Sequence, residues 1–341
     1  MKSSPIPAPG TQASLLSATS RIFNEGPENN ELPGRAMASS WHYRSVNLDR
    51  AGIKIFGRYA ESASDTVVAH YVKDIVKTGI PLTGLQDESF ERCARIFDRH
   101  ENERSERAVF DFFSTNLFPA WRDKSELDSD GLIRVTDRPI ASRFVPGNTS
   151  DTHRVTPPVP ELLYGYKIDL ENNASRKFTE SEVTEYNIAD LIPVLFPFLV
   201  VDTHKSLWAA ENLVAGGTAA CLGIIGKLNS YIDKCNKTIP DEKDKIDRVD
   251  NVVCALAIDF NMARMFAAWV DNRGSRVEYK IQAVEEFVLS RPAELKTLYE
   301  RVSHMVDWAL GPRRVAIDKA LDAIEAEKSR LQKKANEAAN R

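Results

Sequence analysis

Between Leu191 and Leu228 the sequence commits the chain to an α/β architecture. Phe196-Pro-Phe-Leu-Val-Val-Asp202 is a short apolar run, rich in β-branched and aromatic residues, that ends in charge. Such a run reads as a strand buried on both faces. Leu207 to Leu228 follows directly and reads as a helix. A buried strand feeding a long apolar helix is the start of a crossover, with the helix laid on the sheet. That helix carries Ala215-Gly216-Gly217-Thr218-Ala219-Ala220. Each glycine costs a helix about 1 kcal/mol against alanine, so the small side chains imply close approach to the sheet.

The flanks fit the same scheme. Val67, Val68, Tyr71, Val72, Ile75 and Val76 recur at helical spacing, and Gly79-Ile80-Pro81 stops that run. Further helices are expected over about Glu88–Asp98, Glu103–Asn116 and Glu180–Tyr186. Short β-like pieces are expected at Leu132–Val135 and Ile140–Val145, and a strand from Glu161 to Asp169 behind prolines 157, 158 and 160. Residues 234–249 read as a charged linker. Val252–Phe260, Ala263–Asp271 and Val277–Phe287 read as strands, the last two joined as a hairpin at Asp271-Asn-Arg-Gly-Ser275. Pro292–Trp308 and Arg313 to about Ala338 read as helices either side of a break at Gly311-Pro312. The expected fold is α/β, a central mixed β-sheet flanked by helices, with a helical N-terminal section and long C-terminal helices. Residues 1–40, rich in Ser, Pro, Asn and Gly, are expected to be a disordered tail, and residues 41–338 a single domain.

Composition narrows the function classes. The 341 residues carry 45 Lys and Arg against 49 Asp and Glu, a formal net charge of -4. Attachment to nucleic acid by bulk positive charge is thereby excluded, and any such contact needs a local patch. Cys93, Cys221, Cys235 and Cys254 form no C-x-x-C pair, which argues against a zinc site or disulfide framework and for reduced, mostly buried thiols. No uninterrupted apolar run reaches the roughly 18 residues of a membrane helix, and the N-terminus has no apolar signal segment. An intracellular protein, cytoplasmic or nuclear, with no membrane partner is expected; oligomeric state is left open.

The residues with chemical promise are acids at element ends. Glu103 opens a helix, Glu161 follows Pro160 at a strand start, and Asp202-Thr203-His204-Lys205 ends the buried strand. On a strand, i and i+2 share a face, so Asp202 and His204 project together. Carboxylates beside a cation suit metal-dependent phosphodiester hydrolysis, because hard cations take carboxylate oxygens and a neighbouring base or cation can handle the attacking water. The plainer reading is that Glu161 and Asp202 are solvated strand ends, that Glu103 complements a helix dipole, and that His204 is a hydrogen-bonding strand-end residue. Arg313, Arg314, Lys319, Lys328, Arg330, Lys333 and Lys334 line a charged C-terminal helix face interrupted by acids. Trp269 and Trp308 read as core.

The chain resembles the fungal branch of the PD-(D/E)XK, restriction-endonuclease-like, nuclease domains. The likeness is carried by Tyr43-Arg44…Leu48…Gly52-Ile53; Glu101-Asn102-Glu103; Pro160-Glu161-Leu162-Leu163-Tyr164-Gly165-Tyr166; Phe196 to Asp202; Ser206-Leu207-Trp208…Asn212…Gly216-Gly217; and Trp308…Arg313-Arg314…Ala320-Leu321-Asp322. It implies a Mg²⁺- or Mn²⁺-dependent nuclease acting on nucleic acid. Glu103, Glu161 and Asp202 would be metal ligands; Glu161, Asp202, His204 and Lys205 would be the catalytic set; and Asn212 would be the polar residue of the following helix. The sequence departs from that pattern. Glu161 replaces Asp, Asp202 replaces the usual Glu, and His204 stands where the family has Lys. A catalytically degenerate fold kept as a binding or regulatory module is the alternative implied by those departures.

Overall fold

The computed structural model describes residues 37–57, 75, 87–99, 106–116, 131–147, 154–167, 179–189, 194–272 and 276–339. Glu103, the helix expected around Val67–Val76 apart from Ile75, most of the expected tail, residues 168–169 and the hairpin tip at 273–275 lie outside them. Among the described residues, seven strands form one mixed sheet. They are β1 (Ile53–Phe56), β2 (Leu132–Val135), β3 (Leu162–Tyr166), β4 (Leu195–Thr203), β5 (Val252–Ile258), β6 (Met262–Asp271) and β7 (Glu278–Val288). Their order is β1-β7-β6-β5-β4-β3-β2. Strands β2, β3 and β4 run as an antiparallel meander. Strand β5 is parallel to β4, β5 to β7 are antiparallel, and β1 joins the far edge parallel to β7. Both edge strands are only four residues long, which leaves little open edge for stray pairing.

The described helices are α1 (Asp87–Arg99), α2 (Glu106–Asn116), α3 (Glu180–Tyr186), α4 (Leu207–Asn236), α5 (Pro292–Trp308) and α6 (Arg314–Ala339). Helix α3 starts in a reciprocal capping box of Thr179 and Glu182. Helix α4 supplies the crossover that makes β4 and β5 parallel. It is long and apolar enough to cross a bilayer, but 83% of its most apolar window is buried inside the protein. A Cβ added to Gly217 would meet Val200 Cγ1 at 3.0 Å, and one added to Gly216 would meet Pro158 and Val155. The two glycines therefore set how closely α4 lies on β4 and on the loop before β3.

Helix α5 covers the opposite face. Glu286 and Glu285 are neighbours on β7, so their side chains leave by opposite faces. Glu286 reaches Arg264, which also holds Glu211 of α4, while Glu285 holds Arg301 of α5. Phe90 packs on Tyr299 to join α1 to α5, and Phe97 packs on Phe112 and Phe113 to join α1 to α2. With helices on both sides, all nine residues of β4 and all seven of β5 are buried.

Four expectations change. Ile140–Val145 is a short 3₁₀ turn at Ser142–Phe144 instead of a strand. Its backbone amides bond outside the sheet, Ile140 to the Pro158 carbonyl and Ala141 to that of Ile188. Helix α4 runs on to Asn236 and takes the start of the expected linker. Arg313 is not a surface residue but 3% exposed. Its guanidinium donates to the carbonyls of Phe196 (2.8 Å) and Pro197 (3.2 Å). There β4 is kinked, with Phe196 at φ 44°, and the proline sits in a central strand only because the kink removes the need for its missing N–H. Trp269 is buried as expected, whereas Trp308 is half-buried.

Candidate functional site

Registration of β3 on β4 builds the acid pair. Leu162 pairs with Val201, so the next step outward puts Glu161 beside Asp202. Glu161 is 7% exposed and Asp202 2%. Strand β4 outruns β3 here, which leaves the Thr203 amide without a β3 carbonyl. The Glu161 carboxylate takes that place, accepting from the Thr203 amide at 2.8 Å and from its hydroxyl at 2.5 Å. Asp202 projects on the α4 face, since Val200, two residues earlier, packs against Gly217. The two acids thus meet at one sheet end but reach it from different directions. Among the described residues, no group of three or more His, Cys, Asp or Glu is spaced to hold a metal ion; Glu103 is outside that set.

His204 is 1% exposed. Its Nδ1 accepts from the Ser206 amide at 3.1 Å, which assigns the ring proton to Nε2. That nitrogen faces the Ser39 hydroxyl at 3.3 Å. Both ring nitrogens are therefore held by protein groups. Lys205, next along, is exposed. Asn212 is fully buried; its Nδ2 donates to the Ala38 carbonyl at 2.7 Å and its Oδ1 accepts from Arg44 Nε at 2.5 Å. Ser39, Ala38 and Arg44 belong to one segment, residues 37–50, laid over the start of α4. Ala38 is fully buried, although it lies before the expected boundary at 41.

A second polar cluster adjoins the first. Glu211 of α4, 4% exposed, holds both Arg44 (2.6 Å) and Arg264 of β6. The Arg44 guanidinium lies 3.4 Å over the Trp208 ring. Burial pulls the Arg44 pKa below its ordinary value, and the bond to Glu211 opposes that shift. These side chains line a cavity of about 220 Å³ together with Ile55, Phe56, Leu207 and Phe266. Sequence reasoning picked out neither Glu211 nor Arg264. The only available hint was a charged residue in an otherwise apolar helix or strand, which demands a partner once buried.

A family model described as a domain of unknown function (DUF7924) matches residues 92–321, more than half of the chain. The segment carrying Ser39 and Arg44 and strand β1 lie outside the match. No curated protein matches the chain.

Proposed function

The chain belongs to the DUF7924 family, a domain of unknown function, and from that premise we propose that it is a nuclease-like protein of the PD-(D/E)XK kind, built for metal-dependent hydrolysis of phosphodiester bonds in nucleic acid. The observation that carries this reading is the register of Leu162 on Val201, which sets Glu161 beside Asp202 at the end of β4, just before the crossover through α4 to β5. Ligands of open α/β sheets gather at such strand ends, where the connections diverge.

The donor set fits Mg²⁺ or Mn²⁺, which bind through one or two carboxylates and complete their shell with water. Glu161 and Asp202 would hold the ion. When bound, it polarises the phosphate and activates water. Thr203 keeps the Glu161 carboxylate in place through two hydrogen bonds. Lys205, the exposed cation of the motif, would orient the attacking water and offset the charge that develops, with the water's proton passing to solvent, because His204 is held at both nitrogens.

A second reading is favoured by those held nitrogens and by the Glu161–Thr203 bonds: the centre is structural, and the protein binds nucleic acid without cutting it. Incubation of the full chain with DNA and RNA in Mg²⁺ or Mn²⁺ separates the two. Cleavage that disappears in Asp202→Asn supports hydrolysis. No cleavage by a folded wild-type chain, or equal cleavage by the variant, rejects it.

A further inference from the structure

We propose that the cavity between β1, β6 and the first turn of α4 is a subsite for one nucleotide of a nucleic-acid strand, with phosphate on Arg44 and the base on Trp208. The proposal rests on nucleic acid being the partner inferred above, and it holds whether or not the strand is cut.

The cavity combines two features that rarely serve a core. One is a preset pair of guanidinium groups. Glu211 holds both from below, and Glu286 holds Arg264 from the side at 3.0 Å. The bonds of Arg44 use its Nε and Nη2, so its Nη1 donors are not engaged in them. The Nε of Arg264 is buried with no hydrogen-bond partner among the described residues. Arg264 spends Nη1 on Glu211 and Nη2 on Glu286, and its buried Nε presents no surface to the cavity; the donors turned to an incoming anion are those of Arg44 Nη1. Acceptor-rich anions such as phosphate answer that demand. The cavity also lies at the N-terminal end of a 30-residue helix, whose dipole adds positive potential.

The other feature is aromatic. Trp208 is 40% exposed, unusual for an indole inside a pocket wall. Phe56 is 41% exposed beside it, and Phe266 and Ile55 complete an apolar lining. Aromatic and guanidinium planes are the surfaces on which unpaired bases stack. The cavity, about 220 Å³, is smaller than the ~300–1,000 Å³ of drug-sized pockets.

Position ties the cavity to the acids. Asp202 pairs with Ala257, and Ala257 with Arg264, so all three lie in one row across the sheet. Arg264 faces α4 through Glu211, as Asp202 does. Two strand spacings separate them, about 10 Å, near enough for one strand to touch both.

The test uses the full chain with chelator present, so that binding is read apart from cleavage. Short single-stranded DNA and RNA oligonucleotides, and a DNA oligonucleotide of the same length without bases, are titrated by fluorescence anisotropy against wild type and Trp208→Ala. The expected result is a loss of affinity of roughly 5- to 100-fold in Trp208→Ala on the base-bearing probes, and no difference between the two proteins on the abasic probe. Thermal unfolding of the variant checks its fold, which an exposed indole should leave intact. Binding of neither DNA nor RNA by wild type, or equal binding by Trp208→Ala, overturns the subsite. Cleavage with Trp208-independent binding overturns the subsite and leaves the acid pair. Trp208-dependent binding without cleavage keeps the subsite and rejects hydrolysis.

Discussion

Glu161 and Asp202 have different jobs within one corner of the sheet. Glu161 answers the Thr203 amide that β3 is too short to reach. Replacing it by alanine leaves that buried donor without its acceptor, at a cost of about 1–3 kcal/mol. Glu161→Ala should therefore unfold at lower denaturant concentration than wild type, and Glu161→Gln, which keeps an acceptor, should fall between. Asp202→Asn keeps shape and removes charge, so it should abolish Mg²⁺-dependent cleavage while leaving the far-ultraviolet spectrum unchanged. The sequence puts both acids at strand ends, where the plainer expectation is solvation; the structure corrects it, since Glu161 is 7% and Asp202 2% exposed, buried by the elements that close over that end of the sheet. The fate of His204 was not legible in the sequence. Strand periodicity gives the face on which a side chain projects, but not that Ser39 comes to meet it from the far N-terminus. The same holds for Glu211, whose two arginines come from opposite ends of the chain.

Glu327 carries a pH dependence that can be signed. The Arg330 guanidinium, then the Thr238 hydroxyl, hold its carboxyl down from the ordinary 4.5 to about 2. A depressed pKa stabilises the fold above the ordinary value, and the contribution disappears as pH falls from about 4.5 towards 2. Wild type should lose melting temperature across that window. Glu327→Gln should melt lower near neutrality and lose less over the same range.

At the scale of elements, packing sets tolerances that periodicity does not reveal. A Cβ on Gly165 would meet the Leu195 carbonyl at 2.8 Å and the Pro197 Cα at 3.3 Å. These are backbone atoms of a kinked strand and cannot step aside. Gly165→Ala should destabilise by about 1–3 kcal/mol, the usual range for overpacking, read as a lower urea midpoint at unchanged slope. Periodicity gave Leu132–Val135, Glu180–Tyr186 and Pro292–Trp308 with the observed bounds, because each has clear stop residues. It missed β1 (Ile53–Phe56). It misread Ile140–Val145, whose β-forming residues lie against the core without strand partners. The charged end of α4 was assigned to a linker because Lys234 and its neighbours broke the apolar pattern, although Ile232 and Cys235 still face inward.

For the whole molecule, burial governs thiol chemistry. Cys221 and Cys254 lie in the core, where burial pushes the Cys254 thiol to about 12 and raises that of Cys221 as well. Cys93 is the cysteine that is not fully buried. Native protein treated with a thiol reagent near neutral pH should label Cys93 first, with Cys221 and Cys254 reacting only after denaturant is added; peptide mapping reads the order. Early labelling of Cys254 would contradict the packing of β5 between two helical layers.

Strand β1 pairs with β7 through Ile53 and Tyr279, and this has a consequence for how the chain is made. At ~5–20 residues per second, the partner of β1 leaves the ribosome on the order of ten to forty seconds after β1 itself. Until then the first described strand has no neighbour, and the cavity lacks the wall that β1 supplies. The meander of β2, β3 and β4 can form meanwhile from nearby sequence. A nascent chain therefore completes the pairing of β3 on β4 before it completes the cavity wall at β1, and a chain ending before β7 would have the first without the second.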